Sequence, residues 1–202
     1  MTQKTDIIKK IITTAGNMKI GAESNEVAMA KELIEGLLPG NEWRTKYKPQ
    51  NTAGLAAAAL YYGLVLNNVP VILEEVALAA RTSASLARNK KVDIRKAAKI
   101  KEPEIGIAEC LNRYLGRFEF ADESVRYANE LLAKLCGDEK FKKKYGERGP
   151  IVVAVVFAAY VKQYGKASQA KICKTCGVKI SVFSASREIL RQFTDIDIVR
   201  IK

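Results

Sequence analysis

No charged residue occurs between Gln50 and Leu73, and the middle of that gap, residues 52–66 (TAGLAAAALYYGLVL), is dominated by alanine. A helix of this composition has no polar face to offer water, so it has to be surrounded by other chain. Gly54, Gly63, Asn67, Asn68 and Pro70 break the apolar run, and alanine buries too little area to hold a span in lipid. The segment therefore reads as the central helix of a globular bundle. Its small side chains let neighbouring helices approach, while Leu55, Leu60, Tyr61 and Leu64 fill the remaining gaps. About a hundred residues later, residues 150–164 (PIVVAVVFAAYVKQY) repeat the design, with Pro150 at a plausible first helical position. Two such helices in one chain indicate an internal repeat.

Length leaves room for that repeat: 202 residues, 48% of them hydrophobic and five of them proline, suit one large domain or two of about 100 residues. The opening MTQKTDIIKKIITTAGNMKI alternates lysines with isoleucine pairs. It lacks the continuous apolar core and cleavage site of a secretory signal, and reads as the first helix. Cys110, Cys136, Cys173 and Cys176 all fall inside helical patterns, which predicts free thiols and an intracellular, reducing compartment.

The net charge of +12 is concentrated in two windows. Residues 81–101 hold eight basic residues and one acid, and residues 162–202 hold nine and three, so the rest of the chain is close to neutral. Concentrated positive charge suits a polyanion, most often nucleic acid, with an acidic protein surface as the alternative and a merely solvated lysine-rich surface as the plainest one.

The pattern is helical throughout. Helices are expected over residues 5–15, stopped by Gly16, over 24–38 with Ser24 as cap, over the central 52–66, over 73–80, and over 83–98 after a turn near Thr82. The second of these carries a stripe at Val27, Ala30, Leu33, Ile34, Leu37 and Leu38. Residues 101–103 read as a link, and the second half then replays the order. Gly16 matches Gly116, Glu23 and Ser24 match Glu123 and Ser124, and Ala28 matches Ala128, all at an offset of 100. The counterpart of the second helix is expected over 124–136, with Val125, Ala128, Leu131, Leu132, Leu135 and Cys136 on its stripe. Beyond the central helix the offset becomes 96, pairing Val76 and Ala77 with Ile172 and Cys173, and Ala80 with Cys176. The expected architecture is all-α: two five-helix repeats in tandem, residues 1–101 and 102–202.

The segment AGLAAAALYYGLVLNNVPVILEEVALAA resembles the third and fourth helices of a cyclin-like repeat in the core of transcription factor IIB and its archaeal counterpart, transcription factor B. The short helix, turn and basic helix closing each half, QAKICKTCGVKISVFSASREILRQF in the second, are similar to the helix-turn-helix of that core. The resemblance covers nearly the whole chain and rests on order and spacing as much as on any motif. It implies a general transcription initiation factor that binds double-stranded promoter DNA together with TATA-binding protein, with RNA polymerase as a further partner. The location would be the nucleus of a eukaryote or the cytoplasm of an archaeon, with no membrane and no cofactor. It also implies that the last helix of the second repeat enters the major groove beside the TATA box, while the first repeat faces TATA-binding protein and the downstream flank.

Carried onto this chain, the reading helix is about residues 180–192. Lys179, Arg187 and Arg191 become candidates for phosphate contact, and Arg88, Lys90, Lys91 and Arg95 of the first half become candidates for contact with DNA or TATA-binding protein. Where the family commonly has a valine and, three residues on, a base-reading arginine, this sequence aligns Ser181 and Ser184. Without that arginine's two-pronged contact to guanine, the expected reading of bases is weaker or different, and both serines are equally well read as solvent-facing helix positions. The family's amino-terminal zinc ribbon and polymerase-reaching linker are not among these residues, which fits either a core fragment or a short paralogue.

Other chemistries have little support. Cys173 and Cys176 have the spacing of half a zinc knuckle, but the chain has no histidine and no second close pair, so small buried core positions are the favoured reading. General acid–base catalysis lacks a histidine, no glycine-rich phosphate loop occurs, and Glu74 and Glu75 read as structural residues opening a short helix. Trp43 and Tyr47 read as a lid over a core edge, or, if exposed, as a partner site. The competing function is a cyclin-like module whose partner is a protein such as a kinase.

Overall fold

The computed structural model describes residues 3–37, 51–101, 106–138, 141, 148–166 and 168–193. The lid residues Trp43 and Tyr47, and most of the link expected at 101–103, lie outside them. The described residues form ten helices and no strand, an all-α fold. The chain separates into two compact units, residues 1–105 and 106–202.

The first unit contains α1 (Gln3–Asn17), α2 (Asn25–Leu37), α3 (Thr52–Leu66), α4 (Leu73–Ala79) and α5 (Ala84–Ala98). Helix α3 is the centre: it packs against all four others, and every residue from Gly54 to Val65 is buried. Two glycines set how closely its neighbours lie. A β-carbon on Gly54 would stand 2.7 Å from Leu86 Cγ on α5, and one on Gly63 would collide with the backbone of α2. The apolar faces turned toward α3 are Ile7, Ile11 and Ala15 on α1, Val27, Ala30, Ile34 and Leu37 on α2, and Ala87 and Ile94 on α5, all buried. Packing of side chains against a small-residue surface, rather than helix propensity, holds these short helices.

The second unit contains α6 (Ile107–Leu115), α7 (Asp122–Gly137), α8 (Arg148–Tyr164), α9 (Gln169–Cys176) and α10 (Ile180–Phe193). Here α8 is central and packs against the other four. Its buried run, Ile151 to Tyr160, is valine-rich where α3 is alanine-rich, so branched side chains do the filling.

Both units close with the same turn. In the first, Arg81 has a left-handed backbone (φ 54°) and the Thr82 N–H donates to the Ala77 carbonyl at 2.9 Å. In the second, Gly177 is left-handed (φ 64°) and the Val178 N–H donates to the Cys173 carbonyl, also at 2.9 Å. This is the bond that ends a helix by reversing the chain at one left-handed residue. A side-chain tie is shared as well: Asn17 Nδ2 donates to the Ala79 carbonyl at 2.8 Å, and Arg117 Nη1 donates to the Thr175 carbonyl at 3.3 Å. Each joins the end of a unit's first helix to the end of its fourth.

Three helix ends differ from the sequence reading. Gly16 does not stop α1, which runs to Asn17. The turn is made by Lys19 (φ 60°), with the Ile20 N–H on the Ala15 carbonyl at 2.9 Å. Pro150 is the third residue of α8, not the first, and the lack of an N–H costs nothing there because the first four amides of a helix have no intrahelical acceptor. Helix α7 starts at Asp122, so Ser124 is a buried residue of its first turn, whereas Ser24 precedes α2 and accepts from the Val27 N–H at 3.3 Å. The carboxylates of Asp122 and Glu123 favour that earlier start at the positive end of the helix.

A candidate nucleic-acid interface

Helices α9 and α10 are joined by a turn of three residues, and the side chains of α10 divide sharply between two faces. Phe183, Ser186, Ile189 and Leu190 are buried. The Phe183 ring meets Phe157 of α8 edge-on at 5.1 Å, and Ser186 Oγ lies 2.9 Å from the Pro150 carbonyl and 2.8 Å from that of Val182. These contacts fix the rotation of α10 about its axis.

The rotation leaves Ile180, Ser184, Arg187 and Arg191 exposed at spacings of four, three and four, which puts them on one line along the helix. Ser181 and Ala185 are exposed beside that line, and Lys179 is exposed just before the first turn. Ser184 Oγ donates to the Ile180 carbonyl at 3.2 Å, and Arg191 pairs with Glu188 at 3.0 Å in solvent, a contact of little energetic weight. Lys171 and Lys174 of α9 are exposed too. All five second-unit candidates are thus exposed: Ser184, Arg187 and Arg191 share the line, Ser181 lies beside it and Lys179 precedes the helix, with Glu188 the single carboxylate among the residues of α10.

The first-unit candidates sit differently. On α5, Arg88 Nη2 pairs with Glu74 Oε1 at 3.2 Å, and the Glu74 side chain is only 6% exposed. Lys90, 15% exposed, pairs with Asp93 at 2.9 Å and lays its stem toward Gly54. Lys91 Nζ stands 5.2 Å above the Tyr61 ring. Arg95 is exposed near the carboxyl end of α5, where a cation is favourable. Arg88, Lys90 and Lys91 are therefore engaged by their own unit.

All four cysteines lie in helices as free thiols, and burial pushes the Cys173 thiol up from its ordinary pKa. Among the described residues no group of three or more histidine, cysteine or acidic side chains could hold a metal ion. No described helix is long and apolar enough to cross a membrane.

Two features escaped the sequence reading. Ile180 is 63% exposed, an apolar side chain at the amino end of the outward face. An aromatic cluster also forms at one end of α8: Phe118 stacks on Phe120 at 5.1 Å, Tyr160 and Tyr164 lie 4.5 Å apart, and Lys171 Nζ stands 5.4 Å from the Tyr160 ring. The spacing of Tyr160 and Tyr164 by one helical turn was the available signal for the cluster. For Ile180 there was none, since isoleucine in a helix opening normally reads as core.

Compared with known proteins, the chain matches no family model and no curated protein sequence.

Proposed function

We propose that this protein is a transcription initiation core resembling transcription factor IIB, binding double-stranded promoter DNA together with TATA-binding protein through the outward face of α10. The observation that supports the reading best is the division of α10, whose apolar face is locked against α8 while Arg187 and Arg191 project from the other with Lys179 ahead of them. A helix packed along one face, with its first turn exposed and cations along the other side, suits a major groove: the cations neutralise phosphates and the first turn meets base edges. The turn shared by both units, and the central helix packed on four others in each, are what two cyclin-like repeats would require.

A second reading, a cyclin-like module for a protein partner such as a kinase, draws on the first unit, where Arg88, Lys90 and Lys91 serve internal contacts. Binding to a TATA-box duplex, with and without TATA-binding protein across a salt series, separates the two. A promoter factor gives a complex that weakens steeply with salt, because phosphate contacts release counterions. A kinase-binding module leaves the duplex free at every salt concentration.

A further inference from the structure

Resting on the reading of α10 as the groove-entering helix, we infer that this protein recognises the 5-methyl group of thymine rather than the hydrogen-bonding edge of guanine. The amino-terminal turns of such a helix are the part that reaches base edges. On α10 the exposed residues of those turns are Ile180, Ser181, Ser184 and Ala185. None of these side chains can make the two-pronged contact by which arginine reads guanine or asparagine and glutamine read adenine. Serine bonds to several bases without strong preference, and Ser184 Oγ already donates to the Ile180 carbonyl. Ile180 and Ala185 are apolar, and the only apolar group that a base pair presents in the major groove is the thymine methyl.

Ile180 carries the inference. Its 63% exposure is the largest among the exposed large apolar side chains of the described residues, and it stands on the same line as Arg187 and Arg191. Two turns separate Ile180 from Arg187, so a duplex held by the arginines meets the isoleucine at the deeper end of the helix. Contact with a methyl removes apolar surface from water on both partners and requires no hydrogen-bond geometry. Lys179, the cation at this end, is a compact charge suited to phosphate and does not distinguish the methyl.

The test uses TATA-box duplexes with a constant box and flanking segments of A·T, A·U, G·C or G·5-methylcytosine pairs, bound by the protein in the presence of TATA-binding protein. Uracil lacks only the methyl of thymine, and 5-methylcytosine restores a methyl to a G·C pair. The expected result is binding about three- to five-fold tighter for each contacted methyl, from the burial of one such group, so A·T exceeds A·U and G·5-methylcytosine exceeds G·C. Ile180→Ser lowers both differences and Ile180→Val keeps them. At 63% exposure neither change threatens folding. Equal affinity of the wild-type protein for the A·T and A·U duplexes overturns the inference while leaving the promoter-binding reading intact. No complex on any of the duplexes removes the promoter-binding reading, and the inference with it.

Discussion

Gly63 of α3 lies so close to Glu26 of α2 that a β-carbon added to it would stand 2.1 Å from the Glu26 carbonyl oxygen. The obstacle is backbone, which cannot swing aside as a side chain can, so the two helices would have to separate. Gly63→Ala is expected to cost at least about 3 kcal/mol, the upper end of overpacking effects. Gly36, on α2 with nothing within 4 Å of its would-be β-carbon, is the control. Gly36→Ala should stabilise by roughly 0.5–1 kcal/mol through the lower backbone entropy of the unfolded chain. Urea unfolding of the two variants checks both signs, and equal effects would show that helix propensity, not close approach, governs α3.

The left-handed turn residue offers a complementary pair. Arg81 pays a steric penalty at φ 54° that Gly177 avoids at φ 64° in the equivalent turn. Arg81→Gly should gain about 0.5 kcal/mol, the net of relieved strain and added unfolded-state freedom. Gly177→Ala should lose about 1 kcal/mol. Thermal unfolding curves that moved in the same direction for both would contradict the shared turn geometry.

Arg88 and Arg187 look alike in sequence, the fifth and eighth residues of the basic helices that close the two units, yet their surroundings assign them different work. Arg88 is paired with Glu74, whose side chain is 6% exposed. Arg88→Ala is expected to cost about 2 kcal/mol, below the range for a fully buried pair because the arginine side chain is itself 37% exposed. Glu74→Ala and the double variant complete a cycle with a coupling of about 1 kcal/mol. Arg187→Ala, on the outward face, should change stability by less than about 0.5 kcal/mol. Denaturant midpoints for the four variants test the assignment, and a destabilising Arg187→Ala would refute it.

The contrast marks what could be read from the residues alone. The all-helical architecture was legible because alanine-rich α3 has no face suited to water and must be enclosed. The residues of α10 that face outward were reached only through the resemblance, and the physical reason, the burial of Phe183, Ser186, Ile189 and Leu190 on the other face, came from the structure. The partners of Arg88 and Lys91, and the packing of the Lys90 stem, were not legible. Glu74 and Tyr61 are distant in sequence, and no periodicity says that a lysine stem will cross a glycine. Helix ends were misread where backbone bonds decided them: Lys19, not Gly16, makes the turn after α1, a conformation that lysine rarely adopts. The exposure of Ile180 ran against the rule that isoleucine is buried, which is why a functional explanation for it is worth testing.

Burial raises the pKa of both Cys173 and Tyr127, with Lys162 partly opposing the shift at the tyrosine. Each group is neutral when protonated, so the folded state holds its proton more tightly than the unfolded state does. Their contribution to stability is full below the unfolded pKa and is lost as pH rises through the folded one. Stability should therefore decline above about pH 9, the ordinary thiol range. Cys173→Ala should flatten the first part of that decline. Unfolding free energies measured across an alkaline series give the check, and a wild-type stability rising in that range would have the opposite sign.

Charge on α10 should govern how DNA binding responds to salt. If Arg187 and Arg191 each neutralise one phosphate, replacing both with alanine lowers the slope of log affinity against log salt by about 2, whatever the duplex sequence. Glu188 is the one acid of the helix and holds Arg191 at 3.0 Å. Glu188→Gln removes a repulsion for phosphate and releases the guanidinium, so it should tighten binding, most at low salt where the Debye length is long. Arg88→Ala, corrected for its stability, should leave the slope unchanged, since that guanidinium already serves Glu74. Anisotropy titrations at several salt concentrations measure all three. A slope that fell for Arg88→Ala and not for the α10 pair would move the DNA contact to the first unit and displace α10 from the role proposed for it.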